Sequence, residues 1–170
     1  MIRPATPADA AAMAALHVRA WQVGYRGQIP DAELDALDPA ERALRWTKTL
    51  ADPSVTVLVA VDGAAVVGFC SFRASGDADG TARTGEIKTL YVEPERWRSG
   101  FGSALLARAL AGARERGFEE VTLWVLGTNT NARSFYEAHD FTPDGGLRTE
   151  KLPTAALHEV RYRRRVQSLE

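Results

Sequence analysis

The sequence predicts a mixed α/β fold, and two observations support this prediction. Alternating apolar residues on both sides of Asp62-Gly63 are typical of a β-hairpin early in the chain. Later segments alternate between the two-residue period of strands and the longer period of helices. The chain has 170 residues, of which 45% are hydrophobic and 25% are charged. This composition suits one globular domain over residues 1–170.

In the first half, the sequence predicts one short strand, three helices and the hairpin. Thr6 can cap the first helix, because the proline that follows it is favoured at the first helical position. Asp38 can cap the third helix in the same way, and Glu41 would complete a capping box. The predicted elements are a strand at 2–4, helices that start at Pro7, Asp31 and Pro39, and hairpin strands at 55–61 and 66–72.

In the second half, strands and helices alternate. The apolar pattern of the strand at 86–92 changes parity, since Ile87 is odd whereas Leu90 and Val92 are even. Side chains alternate between the two faces of a strand, so this change predicts a β-bulge between residues 87 and 90. The other predicted elements are a helix from Gly102 to Gly117, a strand at 121–125, a helix at 129–139, a return strand from Phe141 and a last strand at 157–166.

Charge and composition argue against several classes of protein. A net charge of −1 gives no general attraction for nucleic acid, and the basic run at 161–165 is interpreted as the solvated face of the last strand. The one cysteine, Cys70, is expected to be a buried thiol in a strand. With no apolar stretch long enough for a membrane span and no signal-peptide pattern, a cytoplasmic protein is expected. The loop at 73–85 has no apolar anchor and is expected to be mobile.

The turn that enters the second-half helix has features of a phosphate site. Free N–H groups and the helix dipole attract anions to a helix N-terminus, and Gly100 and Gly102 let the main chain approach a ligand. Ser99 and Ser103 could add hydroxyl donors, and Arg98 a positive charge. A tight turn without a ligand is an equal alternative at this point. A P-loop is excluded because it requires a lysine here, and a dinucleotide fingerprint because its third glycine is missing.

A second candidate segment runs from Asn129 to Tyr136. These two residues are almost two helical turns apart and therefore share a face, with Ala132 and Arg133 on or near it. An amide, a small residue and a phenol in a row could line one side of an extended ligand. The alternative is a helix capped by Asn129, with Tyr136 in the core.

Together, the two segments resemble the GCN5-related N-acetyltransferase family. The family pattern is Gln/Arg-x-x-Gly-x-Gly/Ala, followed by Asn-x-x-Ala-x-x-x-Tyr. The chain has Gly100-Phe-Gly102, then Asn129-Thr-Asn-Ala-Arg-Ser-Phe-Tyr136, and before them Glu86-Ile-Lys-Thr-Leu-Tyr-Val-Glu-Pro. The resemblance covers most of the chain. It implies a central, mostly antiparallel, twisted sheet of six to seven strands, flanked by about four helices.

The resemblance also implies that the chain binds acetyl-coenzyme A and passes the acetyl group to a primary amine of an unidentified acceptor. Leu90 and Val92 would pair through their main chain with the pantetheine arm, and Asn129 would touch it. The turn that precedes the helix would hold the diphosphate. The implied cofactor-binding residues are Leu90, Tyr91, Val92, Trp97, Arg98, Ser99, Gly100, Phe101, Gly102, Ser103, Asn129, Ala132 and Arg133.

For catalysis, the resemblance implies direct attack in a ternary complex, with Tyr136 as the general acid that protonates the leaving thiolate. Glu86 is the candidate base, because an attacking amine must be neutral. A strand-end salt bridge or a solvated charge is an equal alternative role for this residue. Trp21 and Tyr25, together with Tyr91, would line the acceptor side, near Asp31 or Glu33. Core packing is the alternative role of these aromatic residues.

Two positions depart from the family pattern. Trp97 stands at the Gln/Arg position, which removes a side-chain phosphate contact unless Arg98 replaces it. Asp140-Phe141 stands where Gly-Phe is usual, which affects the turn more than the chemistry.

Two competing hypotheses are a nucleotide-binding protein with a Rossmann-like half and a non-catalytic acyl-CoA sensor. The expected partner is a small-molecule or peptide amine, with no nucleic acid, membrane or metal. The scattered histidines, His17, His139 and His158, form no metal pattern. Relatives often dimerise, so a homodimer stays open.

Overall fold

The computed structural model of the protein describes residues 1–166, which form a seven-stranded sheet in the order β1-β2-β3-β4-β5-β7-β6. Neighbouring strands are antiparallel except β4 and β5, which are parallel. The mostly antiparallel sheet is therefore confirmed, and a Rossmann-like half, which needs a run of parallel strands, is wrong. The strands are β1 Ile2–Pro4, β2 Thr56–Asp62, β3 Ala65–Ala74, β4 Thr84–Val92, β5 Glu120–Leu126, β6 Thr142–Lys151 and β7 Ala156–Arg165.

Five α-helices flank the sheet in the described part of the chain, where about four were expected. The N-terminus of α3 is capped as predicted, since the Asp38 carboxylate accepts a hydrogen bond of 2.9 Å from the Ala40 N–H. Glu41 does not complete a capping box and instead binds Arg45 at 2.6 Å. The helices are α1 Ala10–Gly24, α2 Asp31–Asp35, α3 Pro39–Leu50, α4 Phe101–Glu115 and α5 Thr130–Ala138, with 3₁₀ turns at Pro7–Asp9 and Pro94–Arg96.

The helices lie on both faces of the sheet. Phe69 and Cys70 are successive residues of β3, yet Phe69 packs with residues of α1 and α3, whereas Cys70 packs with residues of α4. Because successive side chains of a strand point to opposite faces, α1 and α3 cover one face and α4 covers the other. Cys70 is fully buried as predicted, and burial raises the pKa of its thiol to about 12, so it remains protonated at neutral pH.

The predicted β-bulge lies at Lys88. Thr89 is paired with Ser71 of β3, and Ile87 with the next β3 residue, Phe72, which leaves Lys88 without a partner. The extra residue reverses which face each later side chain occupies. Ile87 and Leu90 consequently both belong to the core under α4, although their numbers differ in parity.

The two parallel strands separate just beyond this bulge. Their pairing ends at Ile87 and Leu123, whereas β4 continues along β3 to Val92 and β5 continues along β7 to Leu126. The sheet therefore has a gap between the second halves of β4 and β5. This gap is the main feature of the fold that positions a functional site.

The contacts of Arg161 correct two predictions, one that the basic run at 161–165 is solvated and one that the loop at 73–85 has no anchor. Its side chain is only 10% exposed, and its guanidinium pairs with Asp77 at 3.3 Å and with Asp79 and Asp144 at 2.7 Å each. The residue is therefore buried rather than solvated, and it anchors the loop to the last strand. No apolar anchor for this loop is visible in the sequence, because the anchor is ionic and comes from residues far along the chain.

Two further features of residues 1–166 bear on the predictions. Asp140 has a φ of 62°, the left-handed conformation for which the family pattern provides glycine and which aspartate tolerates better than most residues. None of the helices described is long and apolar enough to cross a membrane.

Candidate functional site

The gap leaves one edge of β4 open. The Glu93 N–H donates to the Val67 carbonyl of β3 at 2.8 Å, and successive residues of a strand direct their main-chain groups to opposite sides. Leu90 and Val92 therefore direct their N–H and C=O groups away from β3 and into the gap. This edge can accept an extended ligand as an added strand.

Trp97 already occupies part of that edge. Its indole N–H donates to the Val92 carbonyl at 2.8 Å, and its ring lies 3.8 Å from the position that a Cβ at Gly24 would take. The side chain thus spans the space between the end of β4 and the end of α1, and it is 45% exposed. Unlike the Gln/Arg of the family pattern, Trp97 directs no polar group to the N-terminus of α4, because its indole N–H is bonded to Val92.

The glycine turn, residues 97–102, leads from β4 into α4. Arg98 and Gly100 both have positive φ angles, of 61° and 86°. Gly100 precedes the first residue of α4 and offers no side-chain cap, so the first N–H groups of the helix have no side-chain partner there. Arg98, Ser99 and Gly100 are exposed. A turn of this kind presents main-chain donors and the positive end of a helix dipole to an anion.

The structure requires glycine at position 100 of this turn but not at position 102. No atom lies within 4 Å of a Cβ added at Gly100, so its backbone conformation alone requires glycine. A Cβ at Gly102 would lie 3.5 Å from the Phe135 ring, an ordinary contact. Ser103, in the same first turn of α4, forms a hydrogen bond of 3.0 Å with His139.

The side chains of Asn129 and Arg133 bind other parts of the protein. Asn129 caps α5 by accepting a hydrogen bond of 3.1 Å from the Ala132 N–H. Arg133 donates to the Gly127 carbonyl at 2.9 Å and to the Tyr162 hydroxyl at 3.0 Å. These contacts match the alternative in which Asn129 is an N-cap. They hold α5 against the end of β5.

Tyr136 faces the core between α4 and α5. Its ring lies edge-on to Phe135 and Phe141, with centroid distances of 5.3 and 5.8 Å. Burial raises the pKa of Tyr136 above its usual value, and the nearby Cys70 and Tyr91 act in the same direction. The hydroxyl therefore keeps its proton at neutral pH and can serve as a donor.

Glu86 lies on the other face of the sheet. It precedes Ile87, which belongs to the core under α4, so its carboxylate points to the α1 face. Glu86 is 2% exposed, and the Lys88 ammonium lies 3.7 Å from its carboxylate. The structure therefore puts the predicted acid and the predicted base on opposite faces, next to the gap between them.

An aromatic wall, formed by His17, Trp21, Tyr25 and Tyr91, borders the gap on the α1 face. His17 stacks on Tyr91 at 4.7 Å between ring centroids, and Trp21 meets Tyr25 edge-on at 5.0 Å. Burial raises the pKa of Tyr91 to about 12 and that of Tyr25 well above its usual value. The Tyr91 side chain thus belongs to this wall, while its neighbours Leu90 and Val92 face α4.

Two predicted neighbours of the wall are engaged elsewhere. Asp31 pairs with Arg26 at 3.1 Å, and Glu33 accepts hydrogen bonds from the Thr154 amide and hydroxyl at 2.5 and 2.6 Å. His17, in contrast, received no role from the sequence. Its helical spacing from Met13 and Trp21 marks only a buried position, and the aromatic contacts around it come from other segments.

These features define a class of protein, the mixed α/β domains that have an open strand edge beside a helix N-terminus suited to a phosphate. The sequence profile of the Acetyltransferase (GNAT) family matches residues 13–141. The chain belongs to this family, and it is an acyltransferase of the N-acetyltransferase type.

Three relatives illustrate the match. A mycothiol acetyltransferase of Beutenbergia cavernae is 36% identical over 138 residues, which span 81% of this chain but only 43% of that protein. An aminoglycoside N(6′)-acetyltransferase type 1 of Stenotrophomonas maltophilia is 39% identical over 71% of each chain. PaiA N-acetyltransferase of Thermoplasma acidophilum, solved in complex with coenzyme A, shares the fold with a TM-score of 0.72 at 18% identity, over 97% of this chain and 98% of that chain.

Proposed function

We propose that the protein transfers the acetyl group of acetyl-coenzyme A to a primary amine by direct attack, without an acetylated enzyme intermediate. The main support is the open edge of β4, where the Leu90 and Val92 main chain faces a gap that leads to the glycine turn. An extended amide chain with a diphosphate at one end matches this arrangement. Acetyl-coenzyme A has both parts.

The residues of the site fit this cosubstrate. Leu90 and Val92 would pair through their main chain with the pantetheine arm, with Tyr91 between them bonded to β3, and an N–H of this edge would polarise the thioester carbonyl. The glycine turn, which includes Phe101, would hold the diphosphate together with Ser103, and Arg98 would supply a charge in place of the missing Gln/Arg. Ala132 would leave space for the ligand beside α5. Asn129 and Arg133 would shape the site through their contacts within the protein rather than by binding the ligand directly.

In the reaction, the amine nitrogen forms a bond to the acetyl carbon as the carbon–sulfur bond breaks. Alkyl amines have a pKa of about 10.4 and are mostly protonated at neutral pH, so a base must accept a proton. Glu86 would take it, through water if the distance requires. Tyr136 would donate its proton to the departing thiolate from the opposite face. The location of these two residues on opposite faces of the sheet supports a path that runs through the gap.

On the acceptor side, we propose that Trp21 and Tyr25 contact a small-molecule or peptide amine. The related mycothiol and aminoglycoside acetyltransferases take amine-bearing small molecules by their names, which supports a substrate of this general kind. A cytoplasmic location belongs to this proposal, since one buried cysteine needs no oxidising compartment. No metal has a role in it, and a homodimer stays open.

Two assays test the proposal. Calorimetric titration with acetyl-coenzyme A, coenzyme A, NAD and ATP should show binding of the first two alone. Release of free thiol from acetyl-coenzyme A should then depend on an amine from a panel of amino acids, polyamines, aminoglycosides and peptides. Tight binding without thiol release for any amine would favour the second candidate, a non-catalytic acyl-CoA sensor. Binding of NAD or ATP instead would overturn the assignment of the gap.

A further inference from the structure

The three histidines of the chain have different surroundings, and His139 is the one that contacts the start of α4. His17 is 6% exposed and accepts a hydrogen bond of 3.3 Å from the Trp46 indole. Burial lowers the pKa of His17 to about 3, so its ring is neutral at physiological pH. His158 is an exposed residue of β7. His139 is half-buried after the last residue of α5, and it reaches Ser103 in the first turn of α4.

The ring of His139 is held in one orientation. Its Nδ1 lies 2.7 Å from the main-chain carbonyl oxygen of Phe135. A carbonyl oxygen can only accept, so Nδ1 must carry a hydrogen. The ring also packs on the Phe135 side chain, with 4.4 Å between the ring centroids. Nε2 is therefore the atom of His139 that gains or loses a proton when the ring titrates.

The two protonation states of His139 give Ser103 opposite roles. Nε2 lies 3.0 Å from the Ser103 Oγ. In the neutral ring Nε2 has no hydrogen and accepts, so the single hydrogen of the Ser103 hydroxyl is used by the histidine. In the protonated ring Nε2 donates to Oγ, and the hydroxyl hydrogen is available to another acceptor. Ser103 is exposed, so a ligand can be that acceptor.

The charged groups of α5 and β7 near His139 are bonded to other parts of the protein. Arg164 of β7 donates to the main-chain carbonyl of His139 at 3.0 Å and lies 3.7 Å from the Asp140 carboxylate. Glu137 of α5 accepts a hydrogen bond of 2.6 Å from the Tyr162 hydroxyl. Within residues 1–166, the ring of His139 bonds to a carbonyl and a hydroxyl but to no carboxylate. A protonated ring would therefore have no counter-ion among these residues.

The α4 side of His139 contributes one cation, from the glycine turn. Residues 101–107 contain no titratable side chain. In the turn, Trp97 replaces the Gln/Arg of the family pattern and uses its indole N–H on Val92, whereas Arg98 is exposed and charged. A protonated His139 would add a second positive charge at a helix end that already favours anions.

We propose that His139 is a positioning residue of the diphosphate site, and that coenzyme A binds with uptake of one proton by this ring. The protonated ring makes the Ser103 hydroxyl a donor to a phosphate oxygen and places a positive charge beside it. The proton comes from solvent and remains on Nε2 while the ligand is bound, so no covalent bond of the ligand changes. This inference rests on the proposed function, because it concerns how the same site holds its cosubstrate.

Calorimetric titration at several pH values tests this inference with two ligands, coenzyme A and dephospho-coenzyme A. The second ligand keeps the diphosphate but lacks the 3′-phosphate, which itself titrates near pH 6. From about pH 8 to about pH 5.5, the dissociation constant of dephospho-coenzyme A should fall by about tenfold, the value of one charge-assisted hydrogen bond. Titrations in buffers of different ionisation enthalpy should show net proton uptake on binding.

Variants separate this role from a purely structural one. His139→Gln should remove the pH dependence and the proton uptake with dephospho-coenzyme A, because an amide does not titrate. Ser103→Ala should reduce the difference in affinity between the two pH values. A purely structural contact would instead change the affinity by the same factor at every pH.

The matched control is His158→Gln, which removes an exposed histidine of β7. This variant should keep the wild-type pH dependence and proton uptake. His17 does not contribute to either quantity, since its ring stays neutral over this pH range.

Two results would overturn the inference alone. One is a wild-type protein that binds dephospho-coenzyme A with the same affinity at both pH values, and the other is a pH dependence that persists in His139→Gln. Absence of coenzyme A binding by the wild type at every pH would overturn the proposed function and this inference with it, so the two failures are distinguishable.

Discussion

The glycine turn and the aromatic wall border the same gap in the sheet but present different atoms to it. The turn and the adjoining edge of β4 offer main-chain N–H and C=O groups, set by two positive φ angles and one bulge. The wall offers side chains that converge from α1, α3 and β4. Main-chain geometry suits a part of the reaction that all members of a family share, whereas side chains can change between members.

The largest effect is expected from Tyr136, the side chain that we propose protonates the leaving thiolate. Tyr136→Phe should lower kcat by at least tenfold, because general acid catalysis contributes about 10²–10⁴-fold. Acetyl-coenzyme A affinity should stay near the wild-type value, since the ring and its contacts with Phe135 and Phe141 remain. Thiol release measures the first quantity and calorimetry the second. Wild-type kcat in the variant would remove Tyr136 from the mechanism.

The next effect concerns the stability of the aromatic wall. The pKa of His17 is about 3 in the fold, below the ordinary 6.5, so the unfolded chain binds the extra proton between these values. The free energy of unfolding should therefore fall with pH below 6.5, by about 1.4 kcal/mol per pH unit from this group. Above pH 6.5 the contribution is constant.

Urea unfolding at pH 7.0 and 5.0 measures this slope. The control is His17→Gln, whose amide can still accept from Trp46 but does not titrate. The wild type should lose about 2 kcal/mol more than the variant over this interval. Equal losses in both proteins would show that His17 is not buried as a neutral ring.

A smaller effect is expected from the backbone of the glycine turn. Gly100→Ala places a side chain at a φ of 86°, which costs about 1–2 kcal/mol. The coenzyme A dissociation constant should rise by about tenfold if the strain opens the turn. Gly117→Ala is the matched control, because Gly117 has nearly the same φ, 85°, with open space around an added methyl group, but lies at the far end of α4. Equal affinities for both variants would mean that the turn does not hold the diphosphate.

The smallest effect tests Trp97, whose side chain covers part of the main-chain edge of β4. Trp97→Phe keeps an aromatic ring near Gly24 but frees the Val92 carbonyl from its hydrogen bond. Pantetheine pairing should then no longer compete with the indole, and coenzyme A should bind up to about fivefold more tightly, the value of one hydrogen bond. Weaker binding would show that the indole N–H assists the cofactor instead.

The sequence predicted the bulge in β4 and the glycine turn better than the aromatic wall, for a physical reason. A bulge changes the parity of neighbouring apolar residues, and a left-handed turn selects glycine, so Lys88 and Gly100 leave local signals. The pairing of His17 with Trp46 joins residues 29 positions apart. The contacts of Arg161 with Asp77 and Asp79 cross more than eighty. No local pattern reports such contacts.

Arg161 and Arg42 show why charge alone was also insufficient. Arg161 is almost fully buried and has three carboxylate partners, whereas Arg42 is only half-buried. In the sequence, Arg161 belongs to a basic run that looks solvated, while Arg42 looks like any residue of an amphipathic helix. Only the fold distinguishes an arginine that holds a loop from one that lies at the surface of a helix.

The unpaired Lys88 has a consequence for how this chain can change. Without that extra residue, Thr89 to Val92 would each rotate to the reverse side of the sheet, which would carry Tyr91 away from His17 and bring Leu90 into its place. Substitutions at position 88 alter one amine, which lies 3.7 Å from the Glu86 carboxylate, whereas its deletion would exchange the β4 side chains that face α1 with those that face α4. The number of residues in β4 therefore matters more for the two faces of the sheet than which residue occupies position 88.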